Sequence, residues 1–338
     1  MLVTRQPVLR RFWYPVMPVA QLETIQPQAF ELLGERLVLW LDRDGQPSAV
    51  RDRCCHRSTQ LSKGTVIEGH VRCPYHGWSY NGAGACVNVP QLSDDQPIPT
   101  SYRVDSYRCT ARYGYVWVCL DEPLLPIPHI PQADDPAFRC IPEFYERWDC
   151  SGLRIMENSF DNAHFSFVHQ ATFGDVANPE PASIQVTTLE HGLNVKTQVP
   201  VVNPPLQQKN LQLATETTLR TNDMTWYLPF LRTLQITYPN GLIHLIFTAA
   251  TPISDRASQV VQFCLRNDSE TDAKAEEIIA FDRAVTLEDR TVLESTDFDV
   301  PLDLQEEQHM ASDQPGIMMR RKFAALLKAH GEIEQRQK

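Results

Sequence analysis

Cys54-Cys55-His56-Arg57 and Cys73-Pro74-Tyr75-His76-Gly77-Trp78, with sixteen residues between His56 and Cys73, decide how the fold of this chain is read. Each segment offers one thiolate and one imidazole at short spacing. Zinc fingers usually pair Cys with Cys and His with His, whereas here each segment is a Cys-and-His pincer. Two such pincers suit an asymmetric two-iron, two-sulfur cluster, with the cysteines on one iron and the histidines on the other. Neutral imidazole in place of thiolate raises the potential above that of all-Cys ferredoxins. Gly77, Gly82 and Gly84 allow close backbone approach, which leaves N–H groups for the inorganic sulfurs. In this reading Cys55 points away from the cluster. A Cys2His2 zinc scaffold is the competing reading, and it predicts a colourless protein.

Working outward, short β-prone segments surround the pincers: Phe12-Trp13-Tyr14-Pro15-Val16, Arg36 to Leu41, Val66 to Cys73, a glycine-rich turn at Tyr80 to Gly84, and Tyr113 to Leu120. Prolines at 123, 126, 128, 131 and 136 then break both helices and ladders. The chain of 338 residues thus divides into an all-β domain over 1–130, a linker to about 145, and a second domain over 146–338. The second domain reads as a helix over 151–168 and strands over 183–266 with a hairpin at Asn240-Gly241. A long helix over 269–296 and a basic helical tail over 320–328 follow. The fold class is α+β, an all-β domain followed by an antiparallel sheet with a long helix. Lys and Arg number 31 against 42 Asp and Glu, a net charge of −11, the wrong sign for a protein held to nucleic acid by phosphate attraction. No apolar run approaches the ~20 residues of a membrane span. Nine irregularly spaced cysteines and no export signal predict reduced thiols and a cytoplasmic location. Cys86, Cys109, Cys119, Cys140, Cys150 and Cys264 have no histidine near them in sequence and read as buried thiols.

Asn158-Ser159-Phe160-Asp161-Asn162-Ala163-His164-Phe165-Ser166-Phe167-Val168-His169 is the other dense cluster. His164 and His169 are five apart, about 140° on an ideal helix, so they share a metal only if the helix ends or bulges between them. A 2-His-1-carboxylate triad needs an acid and leaves positions open for dioxygen and water. The apolar stripe Ile278, Phe281, Val285, Val292 and Leu293 of the long helix contains Asp289, with Asp282 as its rival and Glu288 rotated off. A carboxylate on a buried face is costly unless it is paired or metal-bound.

Cys-x-His, the gap of sixteen, and Cys-x-x-His-Gly-Trp together resemble the Rieske domain of the Rieske non-haem iron oxygenases, α-subunit type. Phe12 to Val16 looks like the family's opening, and Cys55 stands where the family usually has proline. Asn-x-x-Asp-x-x-His-x4-His resembles the family's mononuclear iron motif, and Glu288-Asp289 its late acidic segment. The resemblance implies a [2Fe-2S] cluster on Cys54, His56, Cys73 and His76, and Fe(II) on His164, His169 and Asp289. It also implies Asp161 as the catalytic bridging acid, a helix-grip catalytic domain, and a homotrimer in which the cluster of one subunit serves the iron of its neighbour. The chain has no Gly-rich dinucleotide fingerprint, so electrons are expected from a separate ferredoxin or reductase. Arg51, Arg53, Arg57, Lys63 and Arg72 around the cluster loops offer it a basic docking face.

The chain looks closest to the single-subunit group of pheophorbide a oxygenase-like enzymes, demethylases and saxitoxin-pathway hydroxylases. That implies O2-dependent mono-oxygenation (hydroxylation or oxidative demethylation) of a small cyclic substrate. Met224, Trp226, Tyr227 and Phe230 are candidate pocket residues on aromatic density alone. The alternative is a Rieske electron-transfer protein with a non-catalytic ligand-binding domain. It predicts two irons per chain where the oxygenase predicts three.

Overall fold

The computed structural model describes residues 1–93, 95–180 and 183–337. It has two compact units, Leu9–Ile127 and Pro128–Lys338, the latter together with Met1–Val8. The terminal ammonium of Met1 donates to Asp299 Oδ1 at 2.6 Å, which ties these first residues into the second unit.

The first unit holds β1 (Tyr14–Pro18), β2 (Gln28–Leu32), β3 (Glu35–Leu41), β4 (Pro47–Arg51), β5 (Thr65–Ile67), β6 (His70–Arg72), β7 (Ser79–Tyr80), β8 (Cys86–Asn88), β9 (Ser106–Arg112) and β10 (Tyr115–Cys119). They form a six-stranded sheet in the order β1-β10-β9-β4-β3-β2 and a four-stranded sheet β5-β6-β7-β8. β10 is buried along its whole length, as its apolar run requires. The single strand expected over Val66 to Cys73 is a hairpin instead. Glu68 and Gly69 take φ of 52° and 76°, the left-handed pair of a two-residue turn. The signal was weak because glutamate is not a usual residue there. A Cβ on Gly69 would lie 2.4 Å from the Arg43 nitrogen, so glycine is required. The small sheet matters for function because the Cys73–Trp78 loop joins β6 to β7, while the Cys54 loop leaves β4.

The second unit comprises β11 (Arg139–Trp148), α1 (Gly152–Phe160), α2 (Phe165–Val168), β12 (Ile184–Leu189), β13 (Gly192–Val202), α3 (Pro205–Leu211), β14 (Thr217–Tyr227), β15 (Leu231–Thr237), β16 (Ile243–Pro252), β17 (Ser258–Arg266), α4 (Ala275–Leu293) and α5 (Gln314–Ala329). Seven antiparallel strands run β11-β17-β16-β15-β14-β13-β12. β17 is buried on both faces, and so is β16 apart from its first residue. Three expectations are corrected. The helix over 151–168 is two helices, broken at Asp161. α4 starts at Ala275 because Ser269–Asp272 close a turn on their own side chains. The basic tail is the longer helix α5, and its Arg320 is buried, only 1% exposed. Arg320 meets Glu157 of α1 and Glu307, and donates to the Pro301 carbonyl at 2.9 Å.

Candidate active site

Two matching turns shape the first constellation. Ser58 N donates to Cys54 O at 3.0 Å and Gly77 N to Cys73 O at 3.1 Å, so each cysteine opens a five-residue turn. Each turn closes on a left-handed residue, Ser58 at φ 62° and Gly77 at φ 77°. Cys54 and Cys73 are buried, 3% and 2% exposed, and their thiols hydrogen-bond one another; burial, first, raises the Cys73 pKa. The His56 and His76 rings stand 4.5 Å apart, and His56 stacks on Trp78. His56 Nδ1 is shut off from solvent without a hydrogen-bond partner. A buried lone pair of this kind calls for a ligand. Two adjacent buried thiols and two facing imidazoles are the donor set that a [2Fe-2S] cluster of mixed ligation takes. Cys55 is exposed, yet its sulfur does not turn fully away. It lies 3.3 Å from Tyr80 OH, the hydroxyl that also contacts Cys54 Sγ at 3.0 Å.

The second constellation depends on the helix break. Ser151 caps α1, accepting from Arg154 N. α1 stops at Phe160 because Asp161 is extended, at φ −80° and ψ 127°. The Asp161 side chain then accepts from Ala163 N at 2.6 Å, which turns the chain. His164 and His169 flank the one-turn helix α2. Their Nε2 atoms come within 3.2 Å of each other, and each is 3.4 Å from Asp289 Oδ1. Asp282, the rival acid, instead faces His244 at 3.1 Å.

Both outer nitrogens are held. His164 Nδ1 meets Asp161 at 3.2 Å, and His169 Nδ1 meets Glu288 at 2.9 Å. Glu288 also accepts from Thr172 Oγ1 at 2.7 Å. This side chain, taken from the sequence as rotated off the stripe, is therefore long enough to reach the site. Asn158 Nδ2 donates to Asp289 Oδ1 at 3.0 Å. With each Nδ1–H spent on a carboxylate, both Nε2 lone pairs and the Asp289 oxygen aim at one point. Three acceptors so placed repel unless a proton or a cation lies among them. Burial opposes a charged His164, but hydrogen bonds to Asp161 and Asp289, and the charges of those acids, outweigh it and raise its pKa to about 9. Burial lowers that of His169. Ligands about 2.1 Å from a divalent ion, at right angles, stand about 3 Å apart, so a metal ion suits this spacing.

The triad opens on a cavity of about 1060 Å³ of empty space, mouth included, room for a bicyclic ring. Strands β13 to β17 line one side, and α1, α2 and α4 the other. None of Met224, Trp226, Tyr227 and Phe230 is among its lining residues. Trp226 and Phe230 pack on Phe323 of α5, and Trp226 also on Phe160, so their density marks core. The walls are instead unexpectedly polar, with Arg220, Arg232, His244, Gln262 and Asp282. Glu143, His244, Cys264 and Asp282 converge within 4.8 Å of one another. Cys264, read as a lone buried thiol, thus has a histidine beside it, brought by the β16–β17 ladder. Cys140 is exposed rather than buried. Neither Arg232 nor this cluster carries a local sequence signal.

The description "Rieske [2Fe-2S] domain" matches residues 12–108, and "vanillate O-demethylase oxygenase C-terminal domain" matches residues 148–329. Methylxanthine N1-demethylase NdmA of Pseudomonas putida is 32% identical over 336 residues, 97% of this chain and 92% of that protein. The chain belongs to the Rieske non-haem iron oxygenases. Methylxanthine N3-demethylase NdmB of the same organism is 30% identical, over 93% of this chain and 88% of its own. The structure of Pseudomonas putida NdmA with caffeine superposes with a TM-score of 0.83 at 31% identity, covering 97% and 94% of the two chains. This Rieske oxygenase is accordingly an α+β monooxygenase, an oxidoreductase with a [2Fe-2S] cluster and a mononuclear iron. No helix among its described residues is long and apolar enough to cross a membrane.

Proposed function

We propose that the enzyme oxidatively demethylates, or hydroxylates, a small cyclic organic substrate in the cavity beside His164, His169 and Asp289. The observation that carries this is the convergence of those three acceptors, their outer nitrogens already held, on the edge of that cavity. His164, His169 and Asp289 hold Fe(II), and Cys54, His56, Cys73 and His76 hold the cluster. Loaded, the two centres supply stored electrons and the means of using O2. For a methyl substrate the balance is R–CH3 + O2 + 2 e− + 2 H+ → R–H + CH2O + H2O, the electrons coming from a ferredoxin or reductase.

Asp161 and Glu288 act through the histidines. Each fixes a tautomer by accepting the Nδ1 proton, which keeps Nε2 free as a ligand and raises its basicity. Buried Phe173 stacks on His169 at 4.7 Å and keeps water from the ring. The chain works as a homotrimer in which Asp161, one-third exposed, joins His164 to a cluster histidine of the next subunit. Nine free cysteines suit a reducing, cytoplasmic compartment.

Purified holoenzyme is expected to contain three irons per chain and to give an anisotropic mixed-valence EPR signal after dithionite. With an electron donor, O2 and a panel of N- and O-methyl heterocycles, it releases one formaldehyde per O2. A chain carrying zinc at both places, or oxidising nothing in the panel, contradicts the reading. Asp161→Asn is expected to keep both metals but slow cluster reoxidation by substrate-bound enzyme about 10- to 100-fold, followed by stopped-flow absorbance. An unchanged rate removes its role. Glu288→Gln is expected to weaken iron retention by about 10- to 100-fold, measured by dialysis against a chelator, with the cluster spectrum intact.

A further inference from the structure

Arg232 is a half-buried cation that has no counter-ion among the described residues. It sits on β15 opposite Trp226 of β14 and Thr248 of β16, on the strand face that lines the cavity with Leu234 and Ile236. Its Nε is sealed from solvent and has no hydrogen-bond partner. Among the described residues its guanidinium forms no ion pair. The acids nearest in charge are Asp289 and Glu143, and both are engaged elsewhere. Asp289 accepts from Asn158 and faces the two histidines. Glu143 accepts from Gln262 Nε2 at 2.6 Å, and burial, then Asp282, pushes its pKa well above the usual carboxylate range. Its cross-strand neighbour Thr248 is spoken for too, since Thr248 Oγ1 donates to Gln262 Oε1 at 2.9 Å. Burial lowers the Arg232 pKa to about 10, so the side chain stays cationic at neutral pH.

A second cation lines the same cavity. Arg220, 8% exposed, lies over the Phe173 ring at 4.7 Å, and no carboxylate pairs with it among the described residues. Among the described residues the one acid of the cavity wall outside the iron triad, Asp282, faces His244 at 3.1 Å and pairs with neither arginine. The wall therefore carries positive charge that the protein does not neutralise. An arginine left so is destabilising unless a ligand completes it, and its planar fork of donors fits a carboxylate or a similar planar anion.

We propose that the substrate of this pocket is a ring compound bearing a carboxylate or equivalent planar anionic group, and that Arg232 binds that group while the ring lies toward His164, His169 and Asp289. This rests on reading the cavity as the substrate pocket. It separates the chain from an enzyme whose ligand is uncharged, as caffeine is.

The test uses iron-loaded holoenzyme and isothermal calorimetry, with benzoate and the bicyclic quinaldate as carboxylate probes and their amides as uncharged isosteres. At least one carboxylate is expected to bind about 10- to 100-fold tighter than its amide. Arg232→Met is expected to erase that preference, with Arg232→Gln as the second variant should the first fail to fold. Equal binding of acid and amide, no binding of any probe, or a preference that survives in the variant overturns the proposal; the last outcome is the one direct carboxylate–iron ligation would give. Iron content and cluster absorbance of the same samples are expected to be unchanged in the variant. They report on the oxygenase reading separately: a wild-type chain without mononuclear iron defeats that reading, while the acid-against-amide comparison still decides the role of Arg232.

Discussion

His164→Ala is expected to yield protein with two irons per chain in place of three, an unaltered cluster spectrum, and product formation at background. The reason is geometric. His164 Nε2 is one of three acceptors packed 3.2 to 3.4 Å apart, and two remaining donors do not hold a divalent ion against water and chelator. The first unit, Leu9–Ile127, forms its own sheets and contains both Cys/His turns, so the cluster has no structural reason to respond. Metal analysis and the visible spectrum of one sample decide the matter. Loss of the cluster absorbance would mean that His164 belongs to a different centre, and retained turnover that it belongs to none.

The second large effect is on stability. Arg320→Met is expected to destabilise the second unit by roughly 3–5 kcal/mol, which lowers its Tm by on the order of 10 °C, read by calorimetry. Arg320 is the centre of a network. Glu157 and Glu307 meet both Arg320 and Arg154, the latter at 2.7 Å in each case, and Pro301 O accepts from Arg320 Nη1. Removing the guanidinium leaves two carboxylates and a carbonyl facing an apolar stub. The network ties α5 to α1, and α1 carries Asn158, the donor to Asp289. Iron retention is therefore expected to weaken along with Tm. A Tm within 2 °C of wild type (a change of about 1 kcal/mol or less) would show that the network is dispensable.

The two pincers were legible because ligation imposes residue type and spacing locally. Cys54 to Ser58 and Cys73 to Gly77 are each one turn closed on its own backbone, so five residues suffice to specify them. The long strands β16 and β17 were equally plain, since both are rich in β-branched and aromatic residues and β16 follows an Asn-Gly turn. The hairpin at Glu68-Gly69 was not, because the contacts at its left-handed turn, Arg43 Nε donating to Glu68 O at 3.0 Å and Arg43 close against Gly69, come from a residue distant in sequence. Trp226 and Phe230 misled for a similar reason. Aromatic density marks a buried surface, but which layer covers it is a property of α5.

The chain order alone contains two metal-ligand patterns, an all-β first unit, and the demand that the helix break between His164 and His169 if they are to meet. Its helical period does not contain the choice among acids, which only the resemblance of Glu288-Asp289 to the family's late acidic segment makes. Asp282 and Asp289 are seven residues apart, so a 3.6-residue period sets them about 20° apart on one stripe. What separates them is the opposing element: His244 of β16 faces Asp282, while His164 and His169 face Asp289. Glu288 and Arg232 follow the same rule. The work of a buried charge is set by its partner in space, or by the lack of one, and for these residues the partner lies on another strand, another helix or a ligand.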